Sequence, residues 1–252
     1  PLVPGLKSSA EAERLADELA YATTRLRLLS ENPPGLYGDV ADSGADLEER
    51  TWLAFLIAYL CPLDGEDPFA AIREARNSWR SGADPRLEDS LTGPRTAHDP
   101  TRGTRTIEAY RAWAGRAGSQ AAAFTGEAAW EPQRRFARAF ERLALPGFHR
   151  DARFDLLVTL GRLGAYELAP DALQLGGANE VTVAAKRAFG IGDRLLLERR
   201  AADLVGAAGL PLEALDVGLY NWGHGERATL GLGELAEPDP EALSSTRGAL
   251  GL

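Results

Sequence analysis

The sequence has very few of the residues from which disulfides and metal sites are usually built. Its 252 residues include one cysteine, Cys61, and three histidines, His98, His149 and His224. A single thiol excludes an internal disulfide and a clustered-thiolate metal site. None of the histidines lies in an HxxxH or HExxH spacing, so a histidine-based zinc site is not expected. We therefore predict no metal and no cofactor, and a buried, inert thiol at Cys61.

Long hydrophobic runs and strand patterns are also missing. The longest apolar run, residues 52–60, is far shorter than the roughly 20 residues that cross a bilayer as a helix. No basic-plus-apolar secretory leader is recognised ahead of it, so we expect a cytoplasmic protein with no membrane partner. No alternating run of β-branched and aromatic residues is long enough for a strand. The sequence therefore predicts an all-α fold.

Positive charge is in deficit, because 28 lysines and arginines face 37 aspartates and glutamates, a net charge of −9. This balance argues against a protein that coats nucleic acid with its whole surface, since phosphate neutralisation by Lys and Arg supplies most non-specific affinity. A local basic face stays open, because most basic residues are arginines, whose forked bonds suit phosphate. The basic residues cluster at Arg134–Arg135, Arg150 with Arg153, Lys186–Arg187 and Arg199–Arg200.

Helical periodicity and capping signals divide most of the chain into helices. The predicted helices are 9–29, a helix from a cap in 42–46 through 60, a short helix from Asp67-Pro68 that carries Trp79, and then 106–117, 132–145, 151–163, 181–189, 193–204 and 212–222. Residues 81–104 read as a loop, either a disordered connector or a loop that covers a substrate. We predict an N-terminal helical lobe, 1–144, with a mobile loop near 81–104, a hairpin-containing lobe, 145–223, and a poorly ordered tail, 224–252.

Two glycine-containing breaks interrupt the helical pattern of the C-terminal half. They are Leu-Pro-Gly at 145–147 and Phe-Gly-Ile-Gly-Asp at 189–193. Each predicts a tight hairpin between two helices. The first amides of the following helix have no internal partner and lie at the positive end of its dipole, so such a turn can face an anion. A phosphate group is the expected ligand.

The amino-acid sequences of three segments resemble those of a known family. They are 154–164 (FDLLVTLGRLG), 184–190 (AAKRAFG) and 219–222 (LYNW). Together with the first hairpin, over roughly 145–223, they resemble the α-glutamyl/putrescinyl thymine pyrophosphorylase family within the helix-hairpin-helix DNA glycosylase-like superfamily. The resemblance implies two helical lobes with a cleft between them. It also implies modification of a hypermodified thymine in DNA, in which an amine or glutamate displaces pyrophosphate at the 5-methyl carbon.

The resemblance implies the site residues as well. Counting forward from the hairpin places the catalytic acid at Asp171, whereas counting back from the Lys186–Arg187 pair places it at Asn179 or Glu180, and both registers stay open. The residues implied for binding substrate and DNA are Gly147, His149, Arg150, Lys186, Arg187, Gly190, Gly192, Tyr220, Asn221 and Trp222. The implied partners are DNA, through a local basic face, and an amine or amino-acid co-substrate, and the oligomeric state is left open.

This chain departs from the glycosylase pattern at its first hairpin. His149 stands where the second glycine usually lies, and Asp151 stands where bifunctional enzymes have their Schiff-base lysine, so strand cleavage by a Schiff base is not expected. Two alternatives to base modification follow. One is a non-catalytic DNA-binding module of glycosylase-like fold, favoured by the acidic charge and the missing glycine. The other is a monofunctional, base-excising DNA glycosylase that uses Asp171.

Several of these residues also have a purely structural interpretation. Asn179 and Glu180 lie where a helix N-cap is expected. Tyr220 and Trp222 would bury a large area in a core. Asp155 lies among inward-facing apolar residues, so it needs a charged partner, for which Arg153 and Arg162 are the nearest in sequence.

Overall fold

The computed structural model describes residues 2–233 and 236–252. Within these ranges the chain forms twelve α-helices, two short 3-10 helices (Trp79–Ser81 and Pro100–Arg102) and no strand, which confirms the predicted all-α fold. The α-helices are α1 (Ser9–Glu31), α2 (Leu36–Ala41), α3 (Leu47–Leu60), α4 (Ala70–Ala75), α5 (Arg105–Ala117), α6 (Gln120–Thr125), α7 (Pro132–Arg142), α8 (Arg150–Arg162), α9 (Glu180–Phe189), α10 (Arg194–Ala208), α11 (Ala214–His224) and α12 (Pro240–Leu250). In the part of the chain that is described, no helix is long and apolar enough to span a membrane.

Side-chain caps begin several of the helices where the sequence predicts them. The Asp46 carboxylate accepts hydrogen bonds from the amides of Glu48 and Glu49 at the start of α3. Asp193 accepts from the amide of Leu196 at the start of α10. Such side chains satisfy amides that no helical carbonyl can reach, which explains why these boundaries are readable from the sequence.

Helix α12 lies where the sequence predicts a poorly ordered tail, and that prediction is wrong for residues 240–250. Asp239 caps the helix by accepting from two amides, and Pro240 occupies its first turn, where the missing N–H costs nothing. Ala242 and Thr246 are buried. Helices α2 and α6 are likewise not predicted, because each is only six residues long. Trp79 belongs to a 3-10 helix instead of the helix that follows Asp67-Pro68.

The chain divides into two compact units. Unit 1 comprises Pro1–Arg27, Asp171–Ala228 and Leu235–Leu252, and unit 2 comprises Leu28–Pro170 and Thr229–Glu234. The division does not follow the predicted boundary at residue 145. Helix α8, which follows the first hairpin, packs against α3 and α7, so the hairpin belongs to unit 2 with most of the N-terminal helices.

Helix α3 forms the centre of unit 2, as its nearly continuous apolar sequence predicts. All its residues from Arg50 to Leu60 are buried, which is typical of a helix that is hydrophobic on every face. The Phe55 ring stacks on Tyr110 of α5 with centroids 3.8 Å apart, and its centroid lies 5.2 Å from that of Phe148. Because Phe148 belongs to the first hairpin, the core of unit 2 holds that hairpin in place.

Unit 1 is built on the pair α9 and α11, with α10 packed against α9 and α12. Gly218 allows α11 to approach α1 closely, because a Cβ there would lie 2.5 Å from Leu19 Cδ2. The second predicted hairpin joins α9 to α10 through Gly190, whose φ of +64° is a left-handed conformation that suits glycine.

Candidate functional site

The first hairpin joins α7 to α8 through a tight turn, as predicted. The Phe148 amide donates to the Leu145 carbonyl at 3.1 Å. Gly147 has a φ of +81°, and a Cβ at this position would lie 2.5 Å from Thr106 Oγ1. Both the backbone conformation and the space therefore require glycine at position 147.

His149 lies at the position where the glycosylase hairpin usually has its second glycine. Its φ is −69°, so no glycine is needed there. Its Nδ1 accepts from the Ala152 amide at 3.3 Å and its Nε2 lies 2.8 Å from the Thr96 carbonyl oxygen. Because Nδ1 accepts, the ring proton lies on Nε2 and is donated to Thr96. His149 therefore caps α8 and ties the hairpin to the predicted 81–104 loop.

A cavity of about 350 Å³ lies beside the hairpin. Arg102 lines it, and its Nε donates to Asp99 at 3.1 Å. Hydrogen bonds from Thr101, together with Arg102, lower the pKa of Asp99 below its usual value, so this carboxylate stays ionised and holds the guanidinium at the cavity. The full lining is Thr96, Ala97, His98, Asp99, Arg102, Leu145, Gly147, Phe148 and His149.

His98 is the buried polar group of this cavity, with 8% of its surface exposed. Its Nδ1 lies 3.0 Å from the Tyr59 hydroxyl. The Thr106 hydroxyl donates to the Pro146 carbonyl at 2.8 Å and also interacts with the Tyr59 hydroxyl. The Tyr59 hydroxyl thus links His98 Nδ1 to Thr106 and, through it, to the hairpin carbonyl.

The Nε2 atom of His98 is buried, and the Leu87 backbone is the polar group that interacts with the ring besides Tyr59. Loss of solvation on burial lowers the pKa of His98 below 6.5, so the ring is neutral near pH 7. The backbone at Leu87 opposes this shift by favouring the protonated ring. A neutral imidazole that lines a cavity is a candidate proton acceptor.

His98 also lines a second cavity, of about 700 Å³, formed by the 81–104 segment. Its charged residues are Asp84, Arg86, Glu88 and Asp89, and Arg111 acts electrostatically on Asp84. The carboxylates outnumber the guanidinium groups, so this cavity is acidic. The residues without charge in its lining are Pro85, Leu87, Pro100, Gly103 and Thr104, besides His98. His98 is thus shared by a cavity beside the hairpin and an acidic cavity.

Residues 94–216 match the model of the family described as alpha-glutamyl/putrescinyl thymine pyrophosphorylase clade 3. This match supports the resemblance to the α-glutamyl/putrescinyl thymine pyrophosphorylase family over this segment. The match begins before His98 and includes the first hairpin, whereas the LYNW wording at 219–222 lies beyond its end. Curated proteins and solved structures give no significant match.

The catalytic residues implied by the family belong to unit 1, whereas His98 belongs to unit 2. Asp171 is exposed and does not line any of the cavities described here. Glu180 lines a separate cavity of about 250 Å³ together with Arg187 and Tyr220. His224, which the sequence analysis does not select, completes this cavity, with Nδ1 3.1 Å from a Glu180 oxygen and its ring stacked on Tyr220. Its position one helical turn after Tyr220 is the only sequence signal for it.

Asn179 is the N-cap of α9. Its Oδ1 accepts from the Thr182 amide at 2.9 Å and its Nδ2 donates to the Gly176 carbonyl at 2.6 Å. Gly190, at the other end of α9, donates its amide to the Lys186 carbonyl. Lys186 and Gly192 are both exposed. The structure thus gives Asn179 and Gly190 helix-terminating roles and leaves Lys186 open to solvent.

Asn179→Ala is expected to lower the free energy of unfolding by about 1 kcal/mol, the usual cost of removing a side-chain cap. Urea denaturation measures this loss. Asn179→Asp retains the capping oxygen and serves as the control. If Asn179 acted in catalysis instead, Asn179→Ala would abolish turnover at temperatures where the variant is still folded.

Arg150, which the sequence analysis places among the DNA-binding residues, is engaged inside unit 2. Its side chain is buried, with 6% of the residue exposed. The guanidinium donates to Asp151 at 3.1 Å and lies over the Phe154 ring. The sequence pairs Arg150 with Arg153 as a basic cluster, but the first turn of α8 points Arg150 into unit 2.

Asn221 and Trp222, which the sequence analysis also places among the binding residues, are buried as well. Asn221 is 1% exposed, its Nδ2 donates to Glu18 at 3.0 Å, and its Oδ1 accepts from the Ala228 amide. Trp222 is 0% exposed and donates from Nε1 to the Glu11 carbonyl. All their polar atoms are used within unit 1, so they stabilise the fold.

Asp155 forms the buried ion pair that its environment predicts, but with a different partner. Arg95 Nε donates to Asp155 Oδ2 at 2.9 Å, whereas the sequence suggests Arg153 or Arg162. Cys61 is buried and its pKa is raised to about 12, mainly by desolvation. In the described ranges no group of three or more His, Cys, Asp or Glu side chains is arranged to hold a metal ion.

Proposed function

We propose that the protein acts on a thymine in DNA that carries pyrophosphate on its 5-methyl carbon, and transfers an amine to that carbon. The family match over residues 94–216 supports the choice of substrate. The observation that carries the proposal is that His98, a buried histidine, lines two cavities of different chemistry. One cavity offers Arg102 and the hairpin, and the other offers carboxylates.

The proposed step is a displacement at the 5-methyl carbon. The bound ammonium group first gives one proton to the His98 imidazole, and the Leu87 backbone favours the protonated ring. The lone pair released on the nitrogen then forms a bond to this carbon while the carbon–oxygen bond breaks, and pyrophosphate leaves with the bonding electron pair. Arg102, held by Asp99, stabilises the negative charge that develops on the leaving pyrophosphate.

The acidic cavity is the proposed site of the amine. Amine co-substrates are cations near pH 7, and Glu88 and Asp89 are exposed carboxylates in the cavity lining. Leu87 and two prolines offer apolar surface for an aliphatic chain. An acidic lining disfavours glutamate, which carries two carboxylates, so we propose a diamine as the nucleophile.

The double variant Glu88→Gln and Asp89→Asn is expected to raise KM for a diamine about tenfold with little change in kcat, because each lost ion pair weakens binding equally before and during the reaction. Asparagine is chosen at position 89 because Asp89 has a φ of +58°, which asparagine tolerates. Steady-state kinetics with putrescine measure the effect. Glu66→Gln, a second exposed carboxylate of unit 2, is the control. An unchanged KM in the double variant would rule out this amine site.

Nucleoside mass analysis separates the proposed function from its alternatives. DNA that carries uracil, mismatched thymine or pyrophosphorylated 5-hydroxymethyluracil is incubated with the protein and putrescine. We expect a putrescinyl thymine only from the pyrophosphorylated base. A free base with an abasic site would identify a glycosylase instead. Unchanged bases together with salt-dependent DNA binding would identify a non-catalytic module.

A further inference from the structure

An exposed group of arginines surrounds one tryptophan in unit 2, and we name it the arginine–indole patch: Arg116, Trp130, Arg134 and Arg142. The guanidinium carbons of Arg134 and Arg142 lie 5.2 Å and 5.7 Å from the centre of the Trp130 ring. A guanidinium stacked on an indole is held by cation–π attraction and loses little freedom when it binds a ligand. The indole therefore holds two guanidinium groups within 6 Å of its ring centre.

The three arginines of the patch have no ion-pair partner among the described residues, although the chain carries a net charge of −9. Their neighbours on α7 differ in this respect. Arg138 pairs with Glu141 at 2.9 Å, and Arg135 is buried and pairs with Glu167. Unpaired guanidinium groups that lie close together repel one another, so a bound anion would relieve that repulsion.

Arg142 connects the patch to a cavity of about 360 Å³, which Arg116 of α5 also lines. The other lining residues are Trp113, Ala117 and Ala123. No carboxylate lines this cavity. The patch and cavity together offer hydrogen-bond donors that are planar and positively charged, which match the oxygens of a phosphate group. Because the arginines come from two helices, α5 and α7, they suit a chain of phosphates better than a single phosphate.

We propose that the arginine–indole patch binds the phosphodiester backbone of DNA. This inference rests on the proposed function, which makes DNA the polyanion that the protein meets. The patch also provides a local basic face that does not depend on Arg150, which is buried. Arg153, the other member of that predicted cluster, donates to the Phe140 carbonyl and stacks on the Phe140 ring, so it too is engaged within unit 2.

The test compares DNA binding by the wild type and by the double variant Arg134→Gln and Arg142→Gln. Fluorescence anisotropy with a short labelled duplex is recorded over a range of salt concentrations. We expect the slope of log K against log salt to fall by about 2, since each phosphate contact contributes about 0.9, and the affinity at low salt to fall about tenfold. Arg138→Gln removes a charge from the same helix and should leave both quantities within about twofold. An unchanged slope in the double variant, or an equal effect of Arg138→Gln, overturns the inference.

Two further measurements separate this inference from its rivals. Calorimetry with inorganic pyrophosphate alone is run on the wild type and the double variant. Pyrophosphate binding that is lost in the double variant, while its DNA affinity and salt slope stay at the wild-type values, would assign the patch to a free anion and overturn its role with DNA. In the amine-transfer assay we expect the double variant to raise KM for DNA and keep kcat. If the wild type binds DNA through the patch but transfers no amine, the proposed function fails while the inference stands.

Discussion

His98→Gln is expected to slow amine transfer by a factor of about 10² to 10⁴, the usual contribution of a positioned general base. Glutamine can still hydrogen-bond to Tyr59 but cannot take up a proton near pH 7, so the variant isolates the loss of the base. Single-turnover rates with pyrophosphorylated DNA and putrescine measure the chemical step directly. Folding is checked by thermal denaturation, and DNA affinity should not change because His98 lies outside the arginine–indole patch.

The pH dependence of the same rate gives a second readout. The pKa of His98 is lowered below 6.5 by burial, with Asp99 and the Leu87 backbone acting in the opposite direction. The wild-type rate should therefore be constant above this pKa and fall as pH falls through it, because the protonated ring cannot accept a proton. Protonation also destabilises the fold in that range, since the unfolded chain binds the proton more tightly. Circular dichroism at each pH separates the two effects.

The acid limb should be absent in His98→Gln. If the limb persists at the same pH in this variant, another group is the base. Tyr59 is excluded from that role near pH 7, because desolvation raises the pKa of its hydroxyl above 10.0. A rate reduced less than about threefold would show that the proton leaves by another path, such as solvent.

Trp222→Ala is expected to lower the free energy of unfolding by about 3–5 kcal/mol, as large-to-small changes at fully buried aromatic residues do. Trp222 is completely buried, donates to the Glu11 carbonyl at 3.1 Å and supports the guanidinium of Arg187, 3.9 Å from the ring centre. Removal of the indole would leave a cavity between α1 and α11. Chemical denaturation followed by far-ultraviolet circular dichroism measures the loss.

Trp222→Phe is the matched control, because it keeps most of the apolar volume and loses only the hydrogen bond and part of the ring. We expect it to cost less than half as much as Trp222→Ala. The alternative that Trp222 contacts the substrate predicts the opposite pattern. Activity would then fall in a variant whose stability is close to that of the wild type.

Local signals explain how far the fold could be predicted. The two helix-joining hairpins, the Asp46 and Asp193 caps and the buried α3 each depend on a few residues that are neighbours in sequence. The C-terminal helix was missed because its Gly-, Glu- and Pro-rich approach resembles a disordered tail, while its stability comes from the Asp239 cap and from packing against α10. Composition alone does not reveal such packing.

The site around His98 depends on contacts between distant segments. His98 contacts Tyr59 from α3, and the link to the hairpin passes through Thr106 and Pro146, so three stretches of chain must fold together to position the ring. Sequence patterns record none of these distances, and they present His98 as an isolated histidine. For the same reason the sequence does not reveal the structural contacts of Asn221. An amide that hydrogen-bonds to a base and one that hydrogen-bonds to Glu18 look alike in sequence.

The most direct test of the account compares pyrophosphate release by His98→Gln and Asp171→Asn on pyrophosphorylated DNA with putrescine. The account places the proton acceptor beside the first hairpin and leaves Asp171 exposed and outside the cavities. It therefore predicts release at the wild-type rate by Asp171→Asn and at least about 100-fold slower release by His98→Gln. Loss of release in Asp171→Asn with full release in His98→Gln would contradict it.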